Sequence, residues 1–324
     1  MDRARSGGEA NLSVAFLFPG QGAQGGSFLD RLPDDAAVRE TLAEASSILG
    51  RDVRDFATED ALKSTVAVQI ATVVAGVAAV RALARRGIEP QAVAGLSVGT
   101  FTAAVACGAV RFADAVPLVR RRGELMERAY PHGYGLAAIV GLNERQVTAL
   151  IESVSRSNAP VHLANLNSAT QFVVAGADAT LGALVADARR AGAQKAERLA
   201  VGVPSHSALL AHVADELERE IATVALAAPH VPYVTNTRGR ATKDAEAVRE
   251  DLARNVMYPV RWYDGTTALY ELGARLFVEM PPGRILTELA EGAFPDARAV
   301  AVDDTRLDTI AILAERERQI DAVR

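Results

Sequence analysis

The sequence predicts a protein of the α/β class, built on a mainly parallel sheet covered on both faces, with a smaller unit inserted near its middle. Three observations carry this. Short apolar runs alternate with helical stretches through most of the chain, the pattern of strands joined by crossover helices. One run, Ala92-Val93-Ala94-Gly95, passes through Leu96-Ser97-Val98 into Gly99 and an alanine-rich helical segment. Between about Gly133 and Gly202 the order of elements becomes β-α-β-β-α-β, that of a ferredoxin-like unit.

Composition bounds the function. The 324 residues suffice for one large domain or two unequal ones. With 49% hydrophobic and 23% charged residues the chain reads as globular, and a net charge of -5 gives no general basic surface for nucleic acid. The lone Cys107 excludes an internal disulfide and fits a reducing compartment. The longest apolar stretch, Val66 to Leu83, contains Gln69 and Arg81, so no membrane span is expected. Met1 to Ser13 reads as a frayed tail, polar and without the apolar region of a signal peptide. The expected location is cytoplasmic.

Taken in order, Val14 to Phe18 suits a buried strand, and the loop after it, Pro19 to Gly25, contains G-x-G-x-x-G. A dinucleotide site is the weaker reading: Pro19 changes the turn, and Glu40 and Glu44 fall inside a helical pattern rather than after a second strand. The same loop can present a backbone N–H to an oxyanion. Helices are expected over Ala36 to Leu49, closed by Gly50, and over Val66 to Arg86, closed by Gly87. Gln69, on the second of these, reads by default as a capped or partly exposed glutamine and alternatively as a residue behind a site. Ser97 stands in G-x-S-x-G, where a strained strand-to-helix turn lifts the hydroxyl clear of the sheet and the next helix supplies free N–H groups.

Phe101 to Ala109 continues as a helix. In the following helix, about Pro117 to Met126, three adjacent arginines point about 100° apart, so at most one or two can share a pocket. Arg120 and Arg121 read as a solvated face. Arg122 precedes Gly123, which would leave room for a ligand, and its guanidinium can hold a carboxylate by two parallel hydrogen bonds. In the insertion, strands are expected over Leu136 to Val140, Val161 to Asn165, Phe172 to Ala175 and Glu197 to Val203, with helices over Glu144 to Val154 and Ala179 to Ala191. Asn167 to Thr170 would turn the central hairpin, and Asn165 and Asn167 could also face a cleft between the two units.

His206 lies where the insertion returns to the larger unit and can approach Ser97 despite 109 residues of separation. His132, His162, His212 and His230 have no chemical setting. A helix follows from about Ala208 to Leu226, then strand Val231 to Thr235, helices Glu246 to Met257 and Asp264 to Leu272, strand Arg275 to Met280, a Pro281-Pro282-Gly283 turn, helix Ile285 to Glu291 and strand Ala299 to Val302.

Phe18-Pro19-Gly20-Gln21-Gly22-Ala23-Gln24, Gly95-x-Ser97-x-Gly99, Arg122-Gly123-x-x-Met126, Asn165-x-Asn167, Gln171-x-Val173-x-Ala175-Gly176, Val203-Pro204-Ser205-His206 and Pro282-Gly283 together resemble the malonyl-CoA:acyl-carrier-protein acyltransferase family, over nearly the whole chain from Val14. Within it, Ala129 to Gly135, Glu279 to Gly283 and Val302 to Thr305 look most like the malonyltransferase (epsilon) subunit of malonate decarboxylase. The resemblance implies a hydrolase-like α/β core, residues 1-131 and 203-324, with a ferredoxin-like small domain at 132-202.

The resemblance further implies a ping-pong transfer. Ser97 would attack malonyl-CoA with His206 as base, Gln21 and Val98 would supply oxyanion-hole N–H groups, and Arg122 would pair with the malonyl carboxylate. A backbone carbonyl near Asn255 would orient His206. The acceptor would be the phosphopantetheine-type thiol of an acyl carrier protein, with other malonate decarboxylase subunits as further partners and no metal or permanently bound cofactor. Malonyl loading for fatty-acid or polyketide synthesis, and acyl hydrolysis on the same fold, are the alternatives. One departure stands out: the family usually has histidine before the serine, where this chain has Leu96.

Overall fold

In the computed structural model, which describes residues 12–155 and 159–323, strand β1 (Val14–Phe18) is buried throughout, with Val14, Phe16 and Phe18 in one hydrophobic layer and Ala15 and Leu17 in the other. A strand that alternates between two apolar layers belongs at the centre of a sheet covered on both faces. Helix α1 (Ala36–Leu49) is capped by the Asp35 side chain and ends on Gly50. Helix α2 (Thr65–Ala84), capped by Ser64, has the length and apolarity of a membrane span despite Gln69 and Arg81. It is nonetheless a core helix, buried against α1 and the two helices that follow strand β2 (Ala92–Gly95), namely α3 (Gly99–Ala106) and α4 (Phe112–Ala129).

The chain then builds a second sheet from β3 (Tyr134–Val140), α5 (Glu144–Val154), β4 (Val161–Ser168), β5 (Gln171–Ala177), α6 (Asp178–Arg190) and β6 (Lys195–Arg198). Its order, β4-β5-β3-β6, and its antiparallel pairings give the expected ferredoxin-like arrangement. Helix α7 (Ala211–Ile221), strands β7 (Tyr233–Val234) and β8 (Ala241–Thr242), helices α8 (Ala245–Arg254) and α9 (Trp262–Glu271), strand β9 (Leu276–Glu279), helix α10 (Ile285–Ala293), strand β10 (Arg298–Ala301) and helix α11 (Leu307–Val323) complete the first unit. Its sheet order is β10-β9-β1-β2-β7-β8, parallel except for the final β7–β8 pair. The two units meet where Val260, in the segment before α9, exchanges backbone hydrogen bonds with β4, its N–H donating to Ala164 O and its carbonyl accepting from Leu166 N.

Several expectations are corrected. Of the frayed tail, residues 1–11 lie outside the described residues, whereas Leu12 and Ser13 are buried and Ser13 Oγ donates to Gln91 Oε1 at 2.7 Å. The strand expected to reach Val203 stops at Arg198, because its pairing with β3 runs out and Gly202 and Pro204 interrupt the alternation. The helix expected over Ala208 to Leu226 is a short 3-10 turn followed by α7, ending where Thr223 Oγ1 bonds back to Glu220 O. The helix expected to run to Met257 stops at Arg254 and continues as a 3-10 turn, Asn255–Met257. Pro259 has no N–H to offer the Asn255 carbonyl, four residues earlier, so that carbonyl is left for another donor. Asn167, expected in the hairpin turn, lies within β4, which carries the strand expected to end at Asn165 on to Ser168.

Candidate active site

The elbow is built by close packing. A Cβ at Gly95 would fall 2.2 Å from the Gly99 carbonyl carbon, and one at Gly99 would fall 2.2 Å from Phe18 O, so only hydrogen fits where strand, turn and helix cross. Ser97 adopts φ 56, the left-handed region that side-chain-bearing residues rarely occupy. Its N–H donates to Asn236 Oδ1 at 2.8 Å, and Thr100 Oγ1 donates to its carbonyl at 2.6 Å.

His206 is brought to the hydroxyl. Its Nε2 lies 2.8 Å from Ser97 Oγ, and its Nδ1 lies 2.7 Å from Asn255 O, the carbonyl freed by the helix end. A carbonyl only accepts, so the proton sits on Nδ1 and Nε2 is the acceptor for the serine hydroxyl. The ring is held by its own backbone too: His206 has φ 61 and its N–H donates to Val256 O at 2.7 Å. Burial and the neighbouring Arg122 charge push its pKa down to about 4, so the imidazole is neutral at physiological pH.

Arg122 is 1% exposed and has no carboxylate partner among the described residues. Nη1 donates to Gln69 Oε1 at 2.7 Å, while Nη2 donates to Ser97 Oγ at 3.1 Å and to Asn255 Oδ1 at 3.3 Å; Nε has no partner. Burial without a counter-charge pushes its pKa down to about 9. Arg120 and Arg121 point away, pairing with Glu124 and with Glu216 and Glu220, respectively. Two sequence readings change here. Gly123 makes room not for a ligand but for α2, since a Cβ there would lie 2.7 Å from Val66 Cα. Gln69 is not a partly exposed glutamine: it is 1% exposed and bonded to Arg122, with Nε2 against Met126 Sδ at 3.4 Å.

These groups open on a cleft of about 240 Å³ between the two sheets. Gln21, Leu96, Val98, Asn165 and Asn167 line it together with Ser97, His206, Arg122 and Gln69. Neither the Gln21 nor the Val98 N–H has a protein acceptor among the described residues, and Val98 precedes the first turn of α3, where helix N–H groups are free. Leu96 packs against Gly20, where an added Cβ would come within 2.8 Å of its Cδ2. The Asn167 Oδ1 atom is buried without a partner.

The sequence reading missed Asn236 and Asp251. Asn236 Nδ2 donates to Gly95 O at 2.5 Å, and Asp251, 1% exposed, accepts from Asn236 N and Thr237 N, each at 3.0 Å, and from Tyr233 Oη at 2.8 Å. Thr235-Asn236-Thr237-Arg238-Gly239 reads as an ordinary turn, so the sequence carries no separate signal for them.

Residues 15–317 match the family described as the acyl transferase domain. A malonyl CoA-acyl carrier protein transacylase of Salmonella typhimurium is 36% identical over 296 residues, 90% of this chain and 96% of that protein. Among solved structures, the acyl-carrier-protein S-malonyltransferase of Burkholderia pseudomallei superposes with a TM-score of 0.88 at 36% identity, covering 93% of this chain and all of that one. A malonyl-transacylase solved in complex with a type II PKS acyl-carrier protein superposes with a TM-score of 0.87 at 34% identity, covering 93% of this chain and 98% of that one. With the serine elbow and its histidine in place, the chain belongs to the acyl transferase domain family and is an acyltransferase.

Proposed function

We propose that this acyltransferase moves a malonyl group from coenzyme A to the phosphopantetheine thiol of an acyl carrier protein through a malonyl-Ser97 ester. The observation that carries the reading is Arg122: a fully buried guanidinium without a counter-ion among the described residues, its Nη2 3.1 Å from the nucleophile oxygen. A buried cation left unpaired is costly, and an acyl group with a free carboxylate two carbons from its carbonyl is the substrate that would complete it. An acyl group without a charge, or a general hydrolase substrate, has no use for it.

In this reading Ser97 Oγ gives its proton to His206 Nε2 and attacks the thioester carbonyl, while Asn255 O holds the imidazolium that forms. The Val98 and Gln21 N–H groups receive the tetrahedral oxyanion, a donor pair of the kind typically worth about 10²–10³ in rate per donor. Protonated His206 returns its proton to the departing CoA sulfur. The carrier thiol then gives its proton to the same nitrogen and attacks the ester, and His206 passes that proton to Ser97 Oγ as malonyl-carrier leaves. The acyl group sits against Leu96, Met126, Leu136, Val173 and Val201, an apolar lining that disfavours water as acceptor. Residues 1-131 and 203-324 act as the core and 132-202 as the inserted domain that closes the other side of the cleft.

The relatives named above support an acyl carrier protein as acceptor. The narrower setting, a malonate decarboxylase complex, rests on the resemblance at Ala129 to Gly135, Glu279 to Gly283 and Val302 to Thr305. Much of that likeness has a packing role, since Glu279 caps α10 and Asp303 Oδ2 accepts from Gly283 N. Incubation with labelled malonyl-CoA should give a serine-linked adduct in the wild type and none in Ser97→Ala; absence of the adduct in the wild type refutes the reading. Transfer to a fatty-acid or polyketide carrier against transfer to a carrier bearing the phosphoribosyl-dephospho-CoA group distinguishes the settings, and equal release of free malonate with and without carrier would favour hydrolysis.

A further inference from the structure

The machinery described so far contains no carboxylate at the histidine, yet a buried carboxylate lies close by. Asp251, on α8, touches neither Ser97 nor His206. It fixes Asn236 through that residue's backbone N–H at 3.0 Å, and it is itself held by Tyr233 Oη and by the Thr237 N–H and hydroxyl, so that all its partners are donors. The Asn236 amide then clasps the elbow at two points: Nδ2 donates to Gly95 O at 2.5 Å and Oδ1 accepts from Ser97 N at 2.8 Å, on either side of Leu96. Asn236 is 4% exposed and does not line the cleft. Four residues beyond Asp251, where α8 ends, come the Asn255 and Val256 carbonyls that hold His206.

We propose that Asn236, anchored by Asp251, is a positioning residue that holds Ser97 in its left-handed conformation and in register with the base. The inference rests on Ser97 acting as the nucleophile. Nucleophile and base are thereby tied to one segment, residues 233–256, the first through the Asn236 amide and the second through the Asn255 carbonyl. The carboxylate that other serine enzymes place on the histidine here holds Asn236, and only through that residue's amide does it reach the serine backbone. A left-handed serine is a strained state that persists only where its surroundings over-determine it; the amide supplies an acceptor for the one N–H and a donor for the one carbonyl that flank the strained peptide. It also commits the Ser97 N–H, which leaves the oxyanion to Val98 and Gln21.

The test is the pre-steady-state rate of malonyl-serine formation. Asn236→Leu keeps the branched shape and removes both bonds; its acylation rate should fall about 10- to 100-fold, the scale of a misplaced reacting group, with KM for malonyl-CoA within about threefold of wild type. Asn236→Asp is the conservative variant. Burial favours the neutral form of its carboxyl, which donates to Gly95 O and accepts from Ser97 N as the amide does, and it should recover most of the lost rate. Asn236→Ala replaces the leucine variant if that one does not fold. Acylation within twofold of wild type in folded Asn236→Leu or Asn236→Ala overturns the proposal, as does a loss that appears in KM alone or one that the aspartate fails to restore. If the wild type itself forms no adduct, the nucleophile reading has failed; if it forms the adduct and the variants match it, only the positioning role has.

Discussion

Replacing Arg122 by methionine should separate activity from stability. The fall of the guanidinium pKa from its ordinary value to about 9 means that burial disfavours the charged form by roughly 5 kcal/mol. A cation with a lowered folded-state pKa is fully penalised below about 9 and relieved only as pH rises from there towards the ordinary guanidinium value, so at pH 7 the folded protein carries the whole penalty. Arg122→Met removes it at similar volume while leaving Gln69 Oε1 and Asn255 Oδ1 without their donor, at about 1–3 kcal/mol each. Folding stability should therefore change little or rise. Catalysis with malonyl-CoA should fall steeply, because the substrate carboxylate would enter a dry pocket without its partner, a loss of about 3–5 kcal/mol or roughly 10²–10⁴-fold in kcat/KM. With acetyl-CoA, which never used the charge, the loss should stay within about tenfold. Steady-state kinetics on both thioesters and urea denaturation measure these quantities. Equal losses on the two substrates would refute the carboxylate role, and a folding loss of several kcal/mol would refute the account of Arg122 as an uncompensated charge.

Three further outcomes are expected. His206, neutral down to about 4, should give an acid limb in the kcat/KM profile for acylation well below the ordinary histidine pKa of 6.5, and because the unfolded chain takes up this proton first, His206 should cost stability as pH falls from 6.5 towards 4; an acid limb at 6.5 would contradict the burial argument. Glu279 is fully buried at the head of α10, with Oε2 accepting from Thr287 N and Oγ1 and Oε1 unpaired, and burial raises its pKa to about 7. Its folded pKa lies above the unfolded value, so stability from this group is present below about 4.5 and lost as pH rises through 7; Glu279→Gln should flatten that dependence and match or exceed wild type in melting temperature at pH 8, and a larger loss at pH 8 than at pH 5 would count against it. Gly95→Ala places a methyl carbon 2.2 Å from Gly99 O and should destabilise the fold by about 3 kcal/mol or more in urea titrations, whereas a soluble, active variant would show that the elbow can relax.

Much of the architecture was legible because it follows from local periodicity. Val14–Phe18 is apolar at every position and is the central strand; the β-α-β-β-α-β order fixes the second sheet because hairpin and helix lengths leave little choice. Where the reading failed, the deciding contact was remote in sequence. Gly123 and Gln69 both sit on helices whose partners, Val66 and Arg122, come from elsewhere, so neither close packing nor a buried polar bond could be seen from neighbours along the chain. The early end of α8 is legible in hindsight through Pro259, whereas α11 was missed because its apolar anchors, Leu307, Ile310 and Ala314, are diluted by charge. Ser97 stands in a turn with a local signature, whereas the roles of His206 and Arg122 came from the family resemblance, the Gly123 signal beside Arg122 having a packing cause instead; Asn236 and Asp251 had neither, because a turn asparagine and a helix aspartate are ordinary.

The position of Arg122 links selection to chemistry. Its charge lies close enough to His206 to depress the imidazole, and its Nη2 occupies a lone pair of Ser97 Oγ, so in the free enzyme the cation opposes both the base and the nucleophile. A carboxylate docked on the guanidinium reverses both effects: it draws the N–H bonds to itself, and it neutralises the charge that resists imidazolium formation. A neutral acyl group can reach the same serine but leaves the cation as it was. Under the proposed malonyl transfer, discrimination by Arg122 is therefore expected in the acylation step as well as in binding, where selection against an uncharged analogue gains most.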